Sequence, residues 1–453
     1  MQRTLGATLS EFARACGGRL VGADRPYRGV STDTRTLSTG ELFVALHGPN
    51  FNGNDFIAAA QAAGAAGAVV DREQSTALPQ IVVAETQPAL ERAAGSWRGQ
   101  FGIPLIGVAG SNGKTTAKEM TAQILAQAGP CLATRGNLNN HIGVPLTLLR
   151  LTSEHHYAVV EMGANRAGDV AALVALARPN VGLITNAGAE HLEGFGSLEG
   201  VARAEGEMVA GLSAESVAIL NADDDFVDLW RGLTRARIVT FGVHKTADFK
   251  AGDIHVAGGA DGFVTHFHLR CPLGQAAIEL HLAGEHNVAN ALAAAAAAAA
   301  SGATLEHITA GLAAMRAVRG RLQLKTARSG AWIIDDSYNA NPSSVRAGIE
   351  VLAQLEGRKW LVLADMAELG EFADAAHSQA GEYARTHGVE RLFAMGPLAA
   401  RAAQSFGARA ETFADAQALT RALQAAGPDV RMLIKGSRFN RLERVVEALT
   451  QKG

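Results

Sequence analysis

Lys114 lies between Gly113 and Thr115 in the run GVAGSNGKTTAKEM (107–120), after the apolar stretch PLIGVAG and before a helix-forming one. A lysine at a strand-to-helix junction can meet a polyphosphate. Backbone N–H groups at a helix start have no intrahelical partner, and the helix dipole adds positive charge there. Gly110 and Gly113 let the backbone approach the phosphates closely, and Ser111, Asn112 and Thr116 complete the loop. Lys114 adds a full charge, and the Thr115 hydroxyl suits magnesium. The strict G-x-x-x-x-G-K-[ST] spacing would put glycine at 108, where Val108 stands. The alternative is an ordinary strand-to-helix turn that contains Gly-Lys-Thr.

Two further residues could join that chemistry. Glu161 ends the apolar run YAVVE, and His191 follows the run VGLITNAG in NAGAEHLEGFGS. In parallel α/β sheets ligands bind beyond the carboxyl ends of the strands. Lys114, Thr115, Glu161 and His191 would then gather at one sheet edge. A carboxylate and an imidazole beside a triphosphate suit magnesium, which takes few protein ligands and keeps phosphate oxygens and water. Taken singly, Glu161 could cap a helix and His191 could be a solvated loop residue.

The surrounding elements set the frame. PLIGVAG, YAVVEMG and VGLITNAG are near-continuous apolar runs, the signature of parallel strands covered on both faces. TTAKEMTAQILAQAG reads as a helix closed by Gly129 and Pro130, with Met120, Ile124 and Ala128 on one face. VTHFHLR and AAIELHL alternate with period two and predict an antiparallel addition, and the alanine run after 287 predicts a tightly packed helix. ELFVAL, GAVVD and QIVVAE are strands of a first unit, with FNGNDF as a loop between them. AWIID, KWLVLAD, RLFAMG and RMLIKG are strands of a last one. The fold expected is α/β in three domains. These are a small N-terminal α/β domain (1–85), a central P-loop-type, mainly parallel sheet with helices on both faces (86–315), and a C-terminal Rossmann-like domain (316–453).

The 453 residues carry a net charge of only −3, so no basic field attracts nucleic acid or an anionic membrane. Three scattered cysteines without a C-x-x-C pair fit a reducing cytosol, and Glu11 and Arg14 interrupt the N-terminal stretch that a signal peptide would need. The alanine run falls short of a membrane span. A cytoplasmic monomer is expected.

Beyond single motifs, GSNGKTTAKEM, GNLNNHIGVPLTLL, EMGAN, NAGAEHLEGFGS, GEHNVANALAA, GRLQ, DDSYNANPSS and KGSR occur in an order that resembles the Mur ligases of bacterial cell-wall synthesis. The resemblance runs from STDTRTLSTGELFVALHG (31–48) to the C-terminal helix. The family's phosphate loop begins at the equivalent of Gly110, which removes the objection raised by Val108. The resemblance implies an ATP-dependent amide ligase with two magnesium ions, working through an acyl phosphate. Its partners would be UDP-N-acetylmuramoyl-tripeptide and D-alanyl-D-alanine. It further implies that Lys114 holds the β- and γ-phosphates, Thr115 and Glu161 the first ion, and His191 the second. Asn287 and Asn290 match adenine contacts, and Arg321 and Asp336 match phosphate and ribose contacts. Ser31, Thr32 and Arg35 match the uridine-binding part, and Asn139 and Asn140 would position the sugar-peptide.

Two positions depart from the family pattern. A lysine that carbon dioxide converts to a metal-binding carbamate is common in the helix after GSLEGVA; here Glu205 stands at that position. Glu205 is expected to supply the carboxylate permanently, against the alternative of a solvent-facing helix glutamate. Asn52 and Asn54 stand where the family often has aspartate and histidine. The rival readings are a sibling ligase with another acceptor, a folylpolyglutamate synthetase, and a nucleotide-gated module without chemistry. Contacts to ATP split between the second and third domains imply that the third swings in.

Overall fold

The computed structural model describes residues 7–189, 192–259 and 262–450. Its strands fall into three main sheets and one short hairpin. The first sheet orders its strands 19–21, 80–82, 67–70, 42–44 and 30–31, all parallel except the first. FNGNDF is more ordered than a loop. Phe51–Asn52 pairs with His47–Gly48, and Gly53–Phe56 is a 3-10 turn that opens with Asn52 Oδ1 accepting from Asn54 N at 2.9 Å. Asn54 is buried and its Nδ2 donates to Asp71 Oδ1 at 2.7 Å, so these asparagines tie the loop down.

The central sheet has nine strands, in the order 274–280, 262–271, 249–259, 237–242, 217–221, 181–184, 105–109, 157–161 and 131–133. Every pairing from Phe249–Gly259 to Cys131–Ala133 is parallel, and the two strands beyond Phe249–Gly259 are antiparallel. Leu105–Ala109 lies between Tyr157–Glu161 and Val181–Ile184, which come later in the chain and flank it on opposite sides. That reversal of strand order opens a crevice beyond its carboxyl end, where Gly110 begins the phosphate loop.

Helix Lys114–Ala126 buries Met120, Ile124 and Leu125 against this sheet; Ala128 lies past its end. The alanine run forms helix Glu285–Ala300, with Ala291 to Ala298 buried throughout. Small side chains let this helix sit close to helix Lys114–Ala126 and fix the floor of the crevice.

Helix Thr86–Arg98 serves two units. Arg92 Nε donates to Cys16 O at 2.8 Å on one side, while Trp97 Nε1 donates to Leu151 O at 3.1 Å on the other. The third sheet runs 323–326, 332–336, 430–435, 358–364, 391–395 and 410–413, parallel apart from its first strand. Its strand Trp332–Asp336 ends at the same crevice. No helix among the described residues is long and apolar enough to cross a membrane.

Candidate active site

Gly110 and Gly113 make the phosphate loop possible. Gly110 has φ +121°, and a Cβ there would lie 2.1 Å from Thr185 Oγ1. Gly113 has φ +83°, and a Cβ would lie 2.2 Å from Asn290 Oδ1. Both are left-handed positions without room for a side chain. The loop is held from the neighbouring strand end. Asn112 N donates to Asn186 Oδ1 at 3.0 Å, and Asn112 O accepts from Thr185 Oγ1 at 2.6 Å. Ser111 Oγ exchanges bonds with Gly188 at 3.2 and 2.8 Å. Lys114 opens the helix, and its Nζ donates to Ser111 O at 2.9 Å and to Gly110 O.

Glu161 is buried at the end of its strand, paired in register with Val108. Its backbone N–H donates to Thr134 Oγ1 at 3.0 Å, and its Oε1 accepts from Asn139 Nδ2 at 2.9 Å. Thr134 is anchored in turn by fully buried Lys118, whose Nζ donates to Thr134 O at 2.8 Å. Glu161 Oε2 is buried with no hydrogen-bond partner. A buried carboxylate oxygen left without a donor is costly unless a cation meets it. Glu161 and Thr115 line the same cavity, and this orphan oxygen fits a magnesium ion there. Among the described residues no three His, Cys, Asp or Glu side chains cluster as a metal site of their own. That suits an ion that completes its shell with phosphate and water.

Glu205 is not solvent-facing. It is 3% exposed on helix Leu198–Ala210, and its Oε2 accepts from Gly110 N at 2.6 Å. It therefore supports the first residue of the phosphate loop directly. His191 lies outside the described residues.

A cavity of about 670 Å³ joins Lys114, Thr115 and Glu161; Glu205 is not among its lining residues. Ser111 to Thr116, Asn139, Asn140, Glu161, Asn287 and Asn290 line it from the central unit, and Arg321 and Asp336 from the third. Asn287 and Asn290 are buried and joined side chain to side chain at 3.2 Å. Asn140 spends its Oδ1 on the N–H groups of Ile142 and Gly143, at 3.1 and 2.9 Å, and so starts helix Gly143–Leu148. Arg321 lies 4.4 Å above the centre of the Tyr338 ring. Asp336 is paired with buried Lys435 and accepts from Leu322 N at 3.3 Å. Burial pulls the Lys435 ammonium below its usual range, and Asp336 offsets part of that. Ser31, Thr32 and Arg35 are not among the cavity's lining residues. Ser31 Oγ accepts from Asp33 N at 3.2 Å, and Arg35 grips the Asp33 carboxylate with Nε at 2.9 Å and Nη2 at 2.7 Å.

Sequence reasoning passed over several lining residues. Asn341 caps helix Pro342–Ala353 and donates from Nδ2 to Asn112 Oδ1 at 2.8 Å. Ser343 Oγ accepts from Asn112 Nδ2 at 2.9 Å. Tyr338, Lys435 and Arg438 also face the cavity. Their motifs, DDSYNANPSS and KGSR, were visible, but the partners of Asn341 and Ser343 lie more than two hundred residues away in the phosphate loop.

A phosphate loop on a parallel sheet, with a second α/β unit supplying cations to the same cavity, defines a nucleotide-using enzyme of the P-loop type. Three family models match consecutive stretches: "Mur ligase family, catalytic domain" at 26–96, "Mur ligase middle domain" at 108–298 and "Mur ligase, glutamate ligase domain" at 320–438. The chain is 44% identical over 454 residues to the UDP-N-acetylmuramoyl-tripeptide–D-alanyl-D-alanine ligase of Escherichia coli (strain K12), covering 99% of each. Its structure is similar to a crystal structure of MurF from Acinetobacter baumannii, with TM-score 0.92 and 34% identity over 100% of both chains. It is also similar to MurF ligase from Thermotoga maritima in complex with ADP, with TM-score 0.81 and 26% identity over 93% of this chain and 96% of that one. The chain belongs to the Mur ligase family.

Proposed function

We propose that this protein is an ATP-dependent amide ligase that joins UDP-N-acetylmuramoyl-tripeptide to D-alanyl-D-alanine in the cytoplasm. The product would be the pentapeptide precursor of peptidoglycan. The observation that carries this reading is one cavity holding the phosphate loop, the orphan oxygen of Glu161 and the cations of the third unit. Identity of 44% over 99% of the chain to a ligase of that name supports the choice of substrates.

A carboxylate is a poor electrophile, so it must be activated before an amine can attack. A tripeptide carboxylate oxygen attacks the γ-phosphorus of ATP, the bond to ADP breaks, and an acyl phosphate forms. The dipeptide amine then attacks the acyl carbon, phosphate leaves, and the amine gives up a proton. Phosphoryl transfer asks the protein chiefly for position and charge neutralisation. Lys114 and the loop N–H groups hold the β- and γ-phosphates. Asn287 and Asn290 face the base, and Arg321 and Asp336 reach the nucleotide from the third unit. Thr115 and Glu161 would hold one magnesium ion, and Glu205 with His191 a second. When bound, magnesium lowers the repulsion between the γ-phosphate and the incoming carboxylate. Asn139 fixes Glu161 and borders the sugar-peptide path, with Asn140 next to it. Ser31, Thr32 and Arg35 would take the uridine end.

In this reading residues 1–85 carry the UDP part, 86–315 the ATP and 316–453 the dipeptide, in a monomer whose third unit closes on ATP. Closure keeps water from the acyl phosphate. The test is phosphate release and amide formation with UDP-tripeptide, offered D-alanyl-D-alanine, diaminopimelate or lysine in turn. Amide formation with the dipeptide alone is expected. Amide formation with a single amino acid, and none with the dipeptide, would overturn the assignment.

A further inference from the structure

We infer that Arg438 receives the terminal carboxylate of the acceptor dipeptide and so selects an acceptor that ends in a free acid. This rests on the reaction proposed above. The acceptor's amine must reach the acyl phosphate beside the phosphate loop. Its carboxylate then lies at most about 7 Å further on, the reach of two extended residues. Desolvating that carboxylate requires a cation.

Among the described residues, four Lys and Arg side chains line the main cavity: Lys114, Arg321, Lys435 and Arg438. Three are engaged elsewhere. Lys114 belongs to the phosphate loop. Lys435 is buried, paired with Asp336 and bonded to Asn339 O at 3.1 Å. Arg321 lies over Tyr338 and faces the nucleotide. Arg438 differs from these. Its side chain is 62% exposed, and its ion pair is a long one, 3.4 Å to Glu443 Oε1. It lies 5.5 Å from the centre of the same Tyr338 ring, so one aromatic side chain adjoins both the nucleotide-facing guanidinium and this one.

Arg438 also lines a second cavity of about 480 Å³, with Phe439, Arg441, Glu443 and Arg444. Three arginines against one glutamate make that space cationic, and Arg438 stands where the two cavities share a wall. A guanidinium can bind a carboxylate through two parallel N–H bonds, which an ammonium cannot do.

The backbone beneath Arg438 is fixed. Ser437 N donates to Asp365 O at 3.1 Å, Ser437 Oγ accepts from Ala367 N at 2.9 Å, and Asn440 Nδ2 donates to Asp365 O at 2.8 Å. Ser437 Oγ also donates to Ala340 O at 3.2 Å, one residue before Asn341 and its bond to the phosphate loop. The acceptor's anchor is thus registered against the phosphate that its amine must displace.

The experiment compares D-alanyl-D-alanine with its C-terminal amide as acceptor, in the full-length protein, for the wild type, Arg438→Met and Arg438→Lys. Wild type should prefer the free acid by about 10- to 100-fold in kcat/KM, the range of a hydrogen-bonded charge pair. Arg438→Met should lose most of that preference through KM for the dipeptide, while KM for ATP stays within about twofold. Arg438→Lys should restore part of it. A preference that survives unchanged in Arg438→Met overturns this inference alone. Wild type that uses neither acceptor overturns the proposed reaction with it.

Discussion

Asn341 Nδ2 donates to Asn112 Oδ1 at 2.8 Å, joining the N-cap of a helix in the third unit to the phosphate loop across 229 residues of chain. Asn112 Nδ2 adds a second bond, to Ser343 Oγ at 2.9 Å. The backbone N and O of Asn112 are held separately by Asn186 and Thr185. Loop shape and inter-unit contact therefore meet in one residue but use different atoms.

Asn112→Ala should separate the two. It removes both cross-unit bonds and keeps the backbone ones. Two neutral hydrogen bonds are worth about 1–3 kcal/mol together. We expect a fall of about 5- to 100-fold in kcat/KM for ATP and a melting temperature within a few degrees of wild type. Steady-state kinetics and thermal unfolding check this. Solution scattering with an ATP analogue and UDP-tripeptide should show less compaction in the variant.

Glu161→Gln keeps the shape and removes the charge. The orphan Oε2 destabilises the empty site, so the variant should melt no lower than wild type. Turnover should fall by at least about 100-fold, and the magnesium concentration for half-maximal rate should rise. A lower melting temperature with normal magnesium dependence would assign Glu161 to structure instead.

Glu205 sits behind Gly110 and accepts its N–H. A permanent carboxylate there makes bicarbonate irrelevant, so wild-type turnover should be unchanged when bicarbonate is added. Glu205→Lys should be impaired and should regain activity with bicarbonate, as the lysine takes up carbon dioxide. Glu205→Ala should stay impaired in both conditions.

Burial holds the His377 imidazole below its usual value of 6.5, with Asp365 and Asp374 pulling the other way. Its Nε2 accepts from Met366 N at 2.9 Å, so Nδ1 carries the proton and faces Ala373 O at 2.6 Å. The folded protein keeps this ring neutral where the unfolded chain takes up a proton. Stability therefore falls as pH drops through about 6.5, and goes on falling until the folded-state value is reached. His286 is shifted in the same direction by burial. His377→Gln should flatten the loss of melting temperature between about pH 7 and 5.5.

The sequence carried the local part of this site well. Lys114, Gly110 and Gly113 lie on one strand-loop-helix unit, so their placement follows from neighbours in the chain. Glu161 was legible because a strand end in a parallel sheet has a defined place. The antiparallel pair at 262–280 showed its period of two. Cys131–Ala133, three residues at the sheet edge, is too short to show any period. Glu205 was singled out by the family resemblance and not by its neighbours in the chain, because its burial depends on where helix Leu198–Ala210 packs. Asn341 was hidden for a related reason: it acts on a unit it does not belong to, and only tertiary packing brings it there.

In the proposed reaction the tripeptide carboxylate attacks the γ-phosphate before the amide forms. This step is tested by labelling that carboxylate with oxygen-18 and analysing the phosphate released when D-alanyl-D-alanine is present. One labelled oxygen is expected in each phosphate, with ADP as the other product. Unlabelled phosphate formed together with the amide, or AMP in place of ADP, would contradict it.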